Sequence, residues 1–386
     1  MSQQLFPTSA QEATPVNAIP LVDLSLQHRE VAEEVEAGFA EVLSAGDFIG
    51  GKAVSAFEQE YADFADARWC VGVANGTDAI EMALRAAGVG HGDEVVVPAN
   101  TFIATAEAVV RIGARPVFVD VDDDSLLIDP AAVEAAVGHL TRAVIPVDLY
   151  GQVAPFEQLP AHLADHGVTV VEDGAQSQGA TRHGRRAGTF GDIAATSFYP
   201  GKNLGAYGDA GAVVTNDDLL AERVRLLGAH GSPAKYQHTQ FGFNSRLDTL
   251  QAVVLRAKLR RLHEWNEQRR LAAAAYDEML AGTPGLRTPR TLPGNEHVWH
   301  LYVVRVGRRD EVLAGLQAEG IGAGVHYPVP VHLTPAMADL GYTRGAFPVS
   351  ERAADEIVSL PMFPGITRAQ QERVVDVLLS TLRAHG

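Results

Sequence analysis

The chain has 386 residues, 46% hydrophobic and 20% charged, which is the balance of a globular enzyme long enough for two packed units. Its formal net charge of −17 argues against a nucleic-acid-binding surface, and no apolar run reaches the roughly 18 residues of a membrane span, so neither partner is expected. One cysteine, Cys70, allows no intrachain disulfide, and the start has neither a basic region nor an apolar stretch, which points to the cytoplasm.

Residues 1–20, rich in Gln, Ser, Thr, Ala and Pro, read as an N-terminal tail or a strap across a partner. β-rich runs then alternate with helical spacing. Strands are expected at Cys70–Ala74, Glu94–Val97, Val117–Val121, Ala143–Val147, Val168–Glu172, Ile193–Phe198 and Gly211–Thr215. Between them, Thr77–Gly88 places Ile80, Ala83, Leu84 and Ala87 on one helical face, and Asp129 with Pro130 opens another helix. This alternation predicts an α/β chain with a largely parallel sheet covered on both faces. The link from Tyr199 to Ala210 is short for a crossover helix, so the last strand is expected to run antiparallel. One long helical stretch follows, Leu247 to Leu280, stopped by Gly282–Pro284. Beyond it a strand (Leu301–Val306) and helices (Asp310–Glu319, Ser350–Val358) suggest a smaller α/β domain. The expected division is a large domain over 21–255 and a small one over 256–386.

Four segments carry chemistry. Lys202, in Ser197-Phe-Tyr-Pro-Gly-Lys-Asn-Leu-Gly, sits on a tight loop after a strand, where desolvation can free its amine for nucleophilic work; a surface lysine is the bland alternative. Asp173 follows the apolar run Val168–Val171 and so lies at the carboxyl end of a buried strand, where open α/β sheets bind ligands. A carboxylate there needs a cation or several donors, and a pyridinium nitrogen is one such partner; a helix cap is the other reading, while Glu172 on the opposite pleat reads as structural. Asn75-Gly76-Thr77-Asp78 joins strand to helix, so its amides can hold a phosphate, although capping explains it equally well. Phe102 lies past another strand end, available either to stack on a flat ring or to pack in the core. The histidines near residues 326–332 fit no metal-binding spacing, and no metal is expected.

The ordered segments NGTDA, PANTFIAT, VEDGAQSQG, SFYPGKNLGAYGDAGAVVTND, FGFNSRLDTLQA and HYPVPVH span about residues 19–364. Together they resemble the DegT-type nucleotide-sugar aminotransferases, closest to those acting on dTDP-3-keto-6-deoxyhexoses. The resemblance implies the aspartate-aminotransferase (type I) fold, with a mostly parallel seven-stranded sheet, and pyridoxal 5'-phosphate as cofactor. It implies that Lys202 forms the Schiff base, Asp173 meets the pyridine nitrogen, Gln176 bonds the ring hydroxyl, Phe102 stacks on the ring, and Gly76, Thr77 and Ser197 hold the phosphate. Asn244 is similar to the residue that reaches the phosphate of a neighbouring subunit, which implies a homodimer with shared active sites. Lys235, Tyr236, His238, His326, Tyr327 and His332 resemble nucleotide-sugar contacts, and Arg246 is left between the substrate diphosphate and a pairing with Asp248. The implied reaction takes an amino group from L-glutamate to C3 of a nucleotide-linked keto-sugar. A C4 aminotransferase, an inositol-type ketone as substrate, a PLP-dependent dehydratase and a non-catalytic regulator are the alternatives. Members with histidine at the lysine position are dehydratases, and lysine stands here.

Overall fold

The computed structural model describes residues 18–385, so the tail expected at 1–20 lies outside the described residues as far as residue 17. Helices α1 (Leu24–Ala45) and α2 (Gly51–Phe64) precede β1 (Trp69–Val73), α3 (Gly76–Ala86), β2 (Glu94–Pro98), α4 (Ile103–Arg111), β3 (Arg115–Val119), α5 (Pro130–Ala136), β4 (Thr141–Val144) and β5 (Thr169–Asp173). A short pair, β6 (Thr181–Arg182) and β7 (Arg185–Arg186), leads to β8 (Ile193–Ser197) and β9 (Gly211–Thr215). Seven strands form one sheet in the order β1-β9-β8-β5-β4-β2-β3. β9 pairs antiparallel with both β1 and β8 and the other pairings are parallel, as the short 199–210 link requires. Because both faces are covered, the strands are apolar nearly throughout, and Val95, Val97, Ala143, Ile145, Val171, Ala195 and Val213 share a core with Ile80, Ala83 and Leu84 of α3.

After α6 (Asp218–Gly228), the expected long helix is two: α7 (Thr249–Leu259) and α8 (Leu262–Leu280). The break is tertiary in origin. α7 packs on α1 and α2, whereas α8 packs on the C-terminal helix, and Arg261 N turns back to Lys258 O at 2.9 Å between them. Next come β10 (Leu286–Arg287), β11 (Asn295–Glu296), β12 (Tyr302–Val306), α9 (Arg309–Ala318), α10 (Pro348–Glu356), β13 (Ile357–Leu360) and α11 (Arg368–His385). The helix expected through Val358 therefore stops at Glu356. Ile357–Leu360 instead complete a three-stranded sheet, β10-β12-β13, whose pairing with β12 outweighs local helical spacing. A second core of Tyr276, Tyr302, Val304, Leu316, Leu360 and Leu378 lies under that sheet. Among the described residues, no helix is long and apolar enough to cross a membrane.

Candidate active site

The carboxyl ends of β1, β2, β5 and β8 open on a cavity of about 780 Å³. Lys202 enters it from the loop after β8. That loop is tightly folded: Lys202 N donates to Tyr199 O and Ala206 N to Phe198 O, both at 2.8 Å. At Gly205 a side chain is excluded, because a Cβ would sit 2.2 Å from Pro200 O. Below the loop Asn203 donates to Asn266 Oδ1 and Val298 O at 2.9 Å each, so the segment is anchored to α8 and to the stretch leading into β12. Burial pushes the Lys202 amine down to about 8, while the Asp173 carboxylate pulls the other way.

Asp173 ends β5 and is 4% exposed. Its Oδ2 accepts from Thr105 Oγ1 at 2.8 Å and its Oδ1 from Ala175 N at 3.2 Å. Burial raises its pKa, opposed by these two donors and by Lys202. Thr105, one turn into α4 beyond Phe102, was not anticipated; its place in the PANTFIAT segment was the available signal.

On one flank α3 begins at Gly76, capped by Asn75 Oδ1, which accepts from Asp78 N at 2.8 Å. The first-turn amides of Gly76 and Thr77 have no intrahelical acceptor by construction and present partial positive charge to the cavity. Ser197 faces them so closely that a Cβ on Gly76 would meet Ser197 Cβ at 2.6 Å. On another flank Phe102 is 51% exposed, its ring 5.4 Å from that of Tyr327. Gln176 Oε1 accepts from Tyr150 N at 2.7 Å and its Nε2 donates to Tyr327 Oη at 3.3 Å. His326 and His300 complete the wall. His326 Nδ1 meets Ser359 Oγ at 2.8 Å, and burial with the nearby Lys202 holds its pKa down to about 4. His300, bonded to Asn203 Oδ1 at 3.2 Å, was not anticipated, since nothing in its local sequence marks it; burial, then the charge of Lys202, holds it well below the usual range.

The structure thus brings together Gly76, Thr77, Phe102, Asp173, Gln176, Ser197, Lys202, His326 and Tyr327. Other expected residues lie elsewhere. His332 is 1% exposed, packed against Phe347 and bonded to Glu351 Oε1 at 3.1 Å; the core claims it, so the structure does not bring it to the cavity as a sugar contact. Lys235, Tyr236 and His238 stand on an exposed loop outside the cavity lining, Tyr236 84% exposed. Asn244 is also exposed and outside that cavity, and its Oδ1 accepts from Arg246 Nη2 at 2.8 Å, which is the bond Arg246 makes instead of pairing with Asp248. Ser245 Oγ beside it donates to Asp78 Oδ2 at 2.8 Å, fixing this segment against the start of α3.

These residues fit pyridoxal 5'-phosphate. A glycine cradle and a helix N-terminus suit its phosphate, a bonded buried acid suits its ring nitrogen, and a desolvated amine suits its aldehyde. Fold and site define a pyridoxal-phosphate-dependent aminotransferase of type I architecture. The chain belongs to the DegT/DnrJ/EryC1/StrS aminotransferase family, which it matches over residues 29–379. It is 46% identical to a dTDP-3-amino-3,4,6-trideoxy-alpha-D-glucose transaminase of Streptomyces venezuelae, over 96% of this chain and 97% of that one. It is 47% identical to a pleiotropic regulatory protein of Geobacillus stearothermophilus, over 95% and 99% of the two chains. The solved structure of S. venezuelae DesV in complex with a ketimine intermediate superposes with a TM-score of 0.92 at 46% identity, covering 94% of this chain and 98% of that one.

Proposed function

We propose that this protein transfers the amino group of L-glutamate to C3 of a dTDP-linked 3-keto-6-deoxyhexose, giving an aminodeoxysugar for natural-product or surface-glycan biosynthesis. The observation that carries the reading is one cavity holding a desolvated amine, Lys202, within electrostatic reach of a buried and bonded acid, Asp173. The name and reaction of the S. venezuelae relative support the choice of C3.

Pyridoxal phosphate, when bound, supplies an aldehyde that accepts an amine and a ring that takes up electrons from the substrate carbon. The protein supplies the rest. Lys202 Nζ would be the attachment point and, when free, the base that moves a proton to and from the substrate carbon; its pKa, lowered to about 8, leaves far more of the amine neutral near physiological pH than an ordinary lysine has. Asp173 holds a proton at the ring nitrogen, and Thr105 fixes the carboxylate that does so. Gly76, Thr77 and Ser197 would hold the phosphate, Phe102 would cover one ring face, and Gln176 would serve the ring hydroxyl. Tyr327 and His326 meet the sugar. We assign Asn244, with Lys235, Tyr236 and His238, to the site of a second copy: all four are exposed and lie off the cavity of their own chain, which supports a homodimer with shared active sites.

Incubating the protein with pyridoxal phosphate, L-glutamate and the keto-sugar should yield 2-oxoglutarate and the amino-sugar in equal amounts. A dehydrated sugar in place of the amino-sugar would replace the reading with a dehydratase. The name of the Geobacillus relative favours a second reading, a ligand-binding regulator. Glutamate alone separates the two, because a regulator releases no 2-oxoglutarate.

A further inference from the structure

The segment just before α1 closes one side of the cavity. Ile19 N donates to Gly320 O at 3.0 Å and Gly322 N to Ile19 O at 2.7 Å, while Leu21 O accepts from Met362 N at 3.0 Å. The approach is close, since a Cβ on Gly322 would lie 2.5 Å from Leu21 N. So fastened, the strap brings Leu21 and Val22 to the cavity lining, Val22 also packing against the second core. Leu21 Cδ2 and His326 Cε1 flank the same glycine, at 3.4 and 3.1 Å from where a Cβ on Gly324 would be.

This side of the cavity carries no charge. Leu21 and Val22 are aliphatic, Tyr327 is a phenol, and His326, held down to about 4, is neutral at physiological pH. The two cations of the lining are committed elsewhere. Lys202 carries the cofactor in the reading above, and Arg111 pairs with Glu81 at 2.8 Å and Asp78 at 3.5 Å. A carboxylate pressed against this wall would lose its hydration with no cation of the wall to replace it, whereas a methyl group would gain burial.

Resting on the aminotransferase reading, we propose that Leu21 and Val22 are specificity-determining residues, an apolar wall that selects a hexose whose C6 is a methyl group over one whose C6 is a carboxylate. Discrimination arises mainly from exclusion, because the wrong sugar buries an unpaired charge.

The test runs the reaction in reverse, from stable nucleotide-linked 3-amino sugars, one 6-deoxy and one a 6-carboxylate, with the pyridoxal-phosphate-loaded enzyme and 2-oxoglutarate as the amino acceptor. Wild type should favour the 6-deoxy sugar by at least about tenfold in kcat/KM. Leu21→Arg should shrink or invert that ratio, chiefly by lowering KM for the carboxylate sugar. Leu21→Ala and Val22→Ala, which remove only aliphatic carbons, should raise KM for the 6-deoxy sugar. Borohydride fixation of the cofactor on residue 202 checks that each variant is folded and loaded. If wild type uses both sugars equally, or the ratio stays the same in all three loaded variants, the proposal is overturned. A wild type that releases no 2-oxoglutarate from glutamate fails at the aminotransferase reading instead.

Discussion

Two carboxylates stand side by side at the end of β5 and face opposite sides of the sheet. Asp173 turns to the cavity and Glu172 away from it, where it is 0% exposed. Glu172 is nearly saturated by fixed donors: Phe190 N at 2.8 Å, Gly188 N at 2.5 Å and Gly191 N at 3.4 Å. It lies against a second buried acid, Asp148, and burial raises both pKa values, so the pair favours holding a proton. Asp173 has only one hydroxyl and one amide, and its remaining interaction is with the charge of Lys202. The same residue class at the same depth is thus structural where donors are complete and chemical where they are not.

The largest way to break this contrast is at the amine. Lys202→Ala should cut amino transfer from glutamate by more than about 10⁴-fold and remove the borohydride adduct, with the circular dichroism spectrum unchanged. A variant that kept full activity would take Lys202 out of the reaction. Asp173→Asn should lower kcat by on the order of 10²–10³-fold while the protein stays folded. A rate equal to wild type would make Asp173 a cap.

The pH dependence sharpens the same point. With the Lys202 pKa lowered to about 8, the neutral amine grows about tenfold per pH unit below that value and levels off above it. The rate at which the cofactor-free protein captures pyridoxal phosphate should follow that curve, read by stopped-flow absorbance. A rise continuing unbroken to pH 10 would mean an ordinary, solvated lysine.

On the other face the effect should move from rate to stability. Glu172→Gln keeps the shape but weakens the acceptor for three amides, at a cost of about 1–3 kcal/mol in denaturant unfolding with kcat changed less than a few-fold. A collapse in kcat with unchanged stability would erase the distinction between the two faces. Smallest of all, Asn75→Ala removes one cap bond from α3, worth about 1 kcal/mol, and should lower the melting temperature by about 2 °C.

The legible part of the site was the part written in short segments. Asp173 and Ser197 end their strands and Gly76, Thr77 and Lys202 lie within five residues past one, and in an α/β sheet strand ends converge on one edge, so locating the strands located the cluster. Thr105 and His300 reach the same cavity from a helix turn and an approach to β12, positions whose direction depends on how those elements pack. His332 shows the opposite failure. A histidine between loop prolines resembled a nucleotide-sugar contact, yet Glu351 and Phe347 of the α10 region enclose it.

Local sequence by itself determined the alternation of strands and helices, the antiparallel return of β9, the cap at Asp129, and the candidate amine and acid, because each depends on neighbours a few residues away. Only the tertiary structure decided that the stretch 247–280 breaks between α7 and α8, that Ile357–Leu360 is a strand, and that Leu21 and Val22 wall the cavity. Those outcomes rest on contacts between segments far apart in the chain, whose energies outweigh local preference and leave no trace in the spacing of residues.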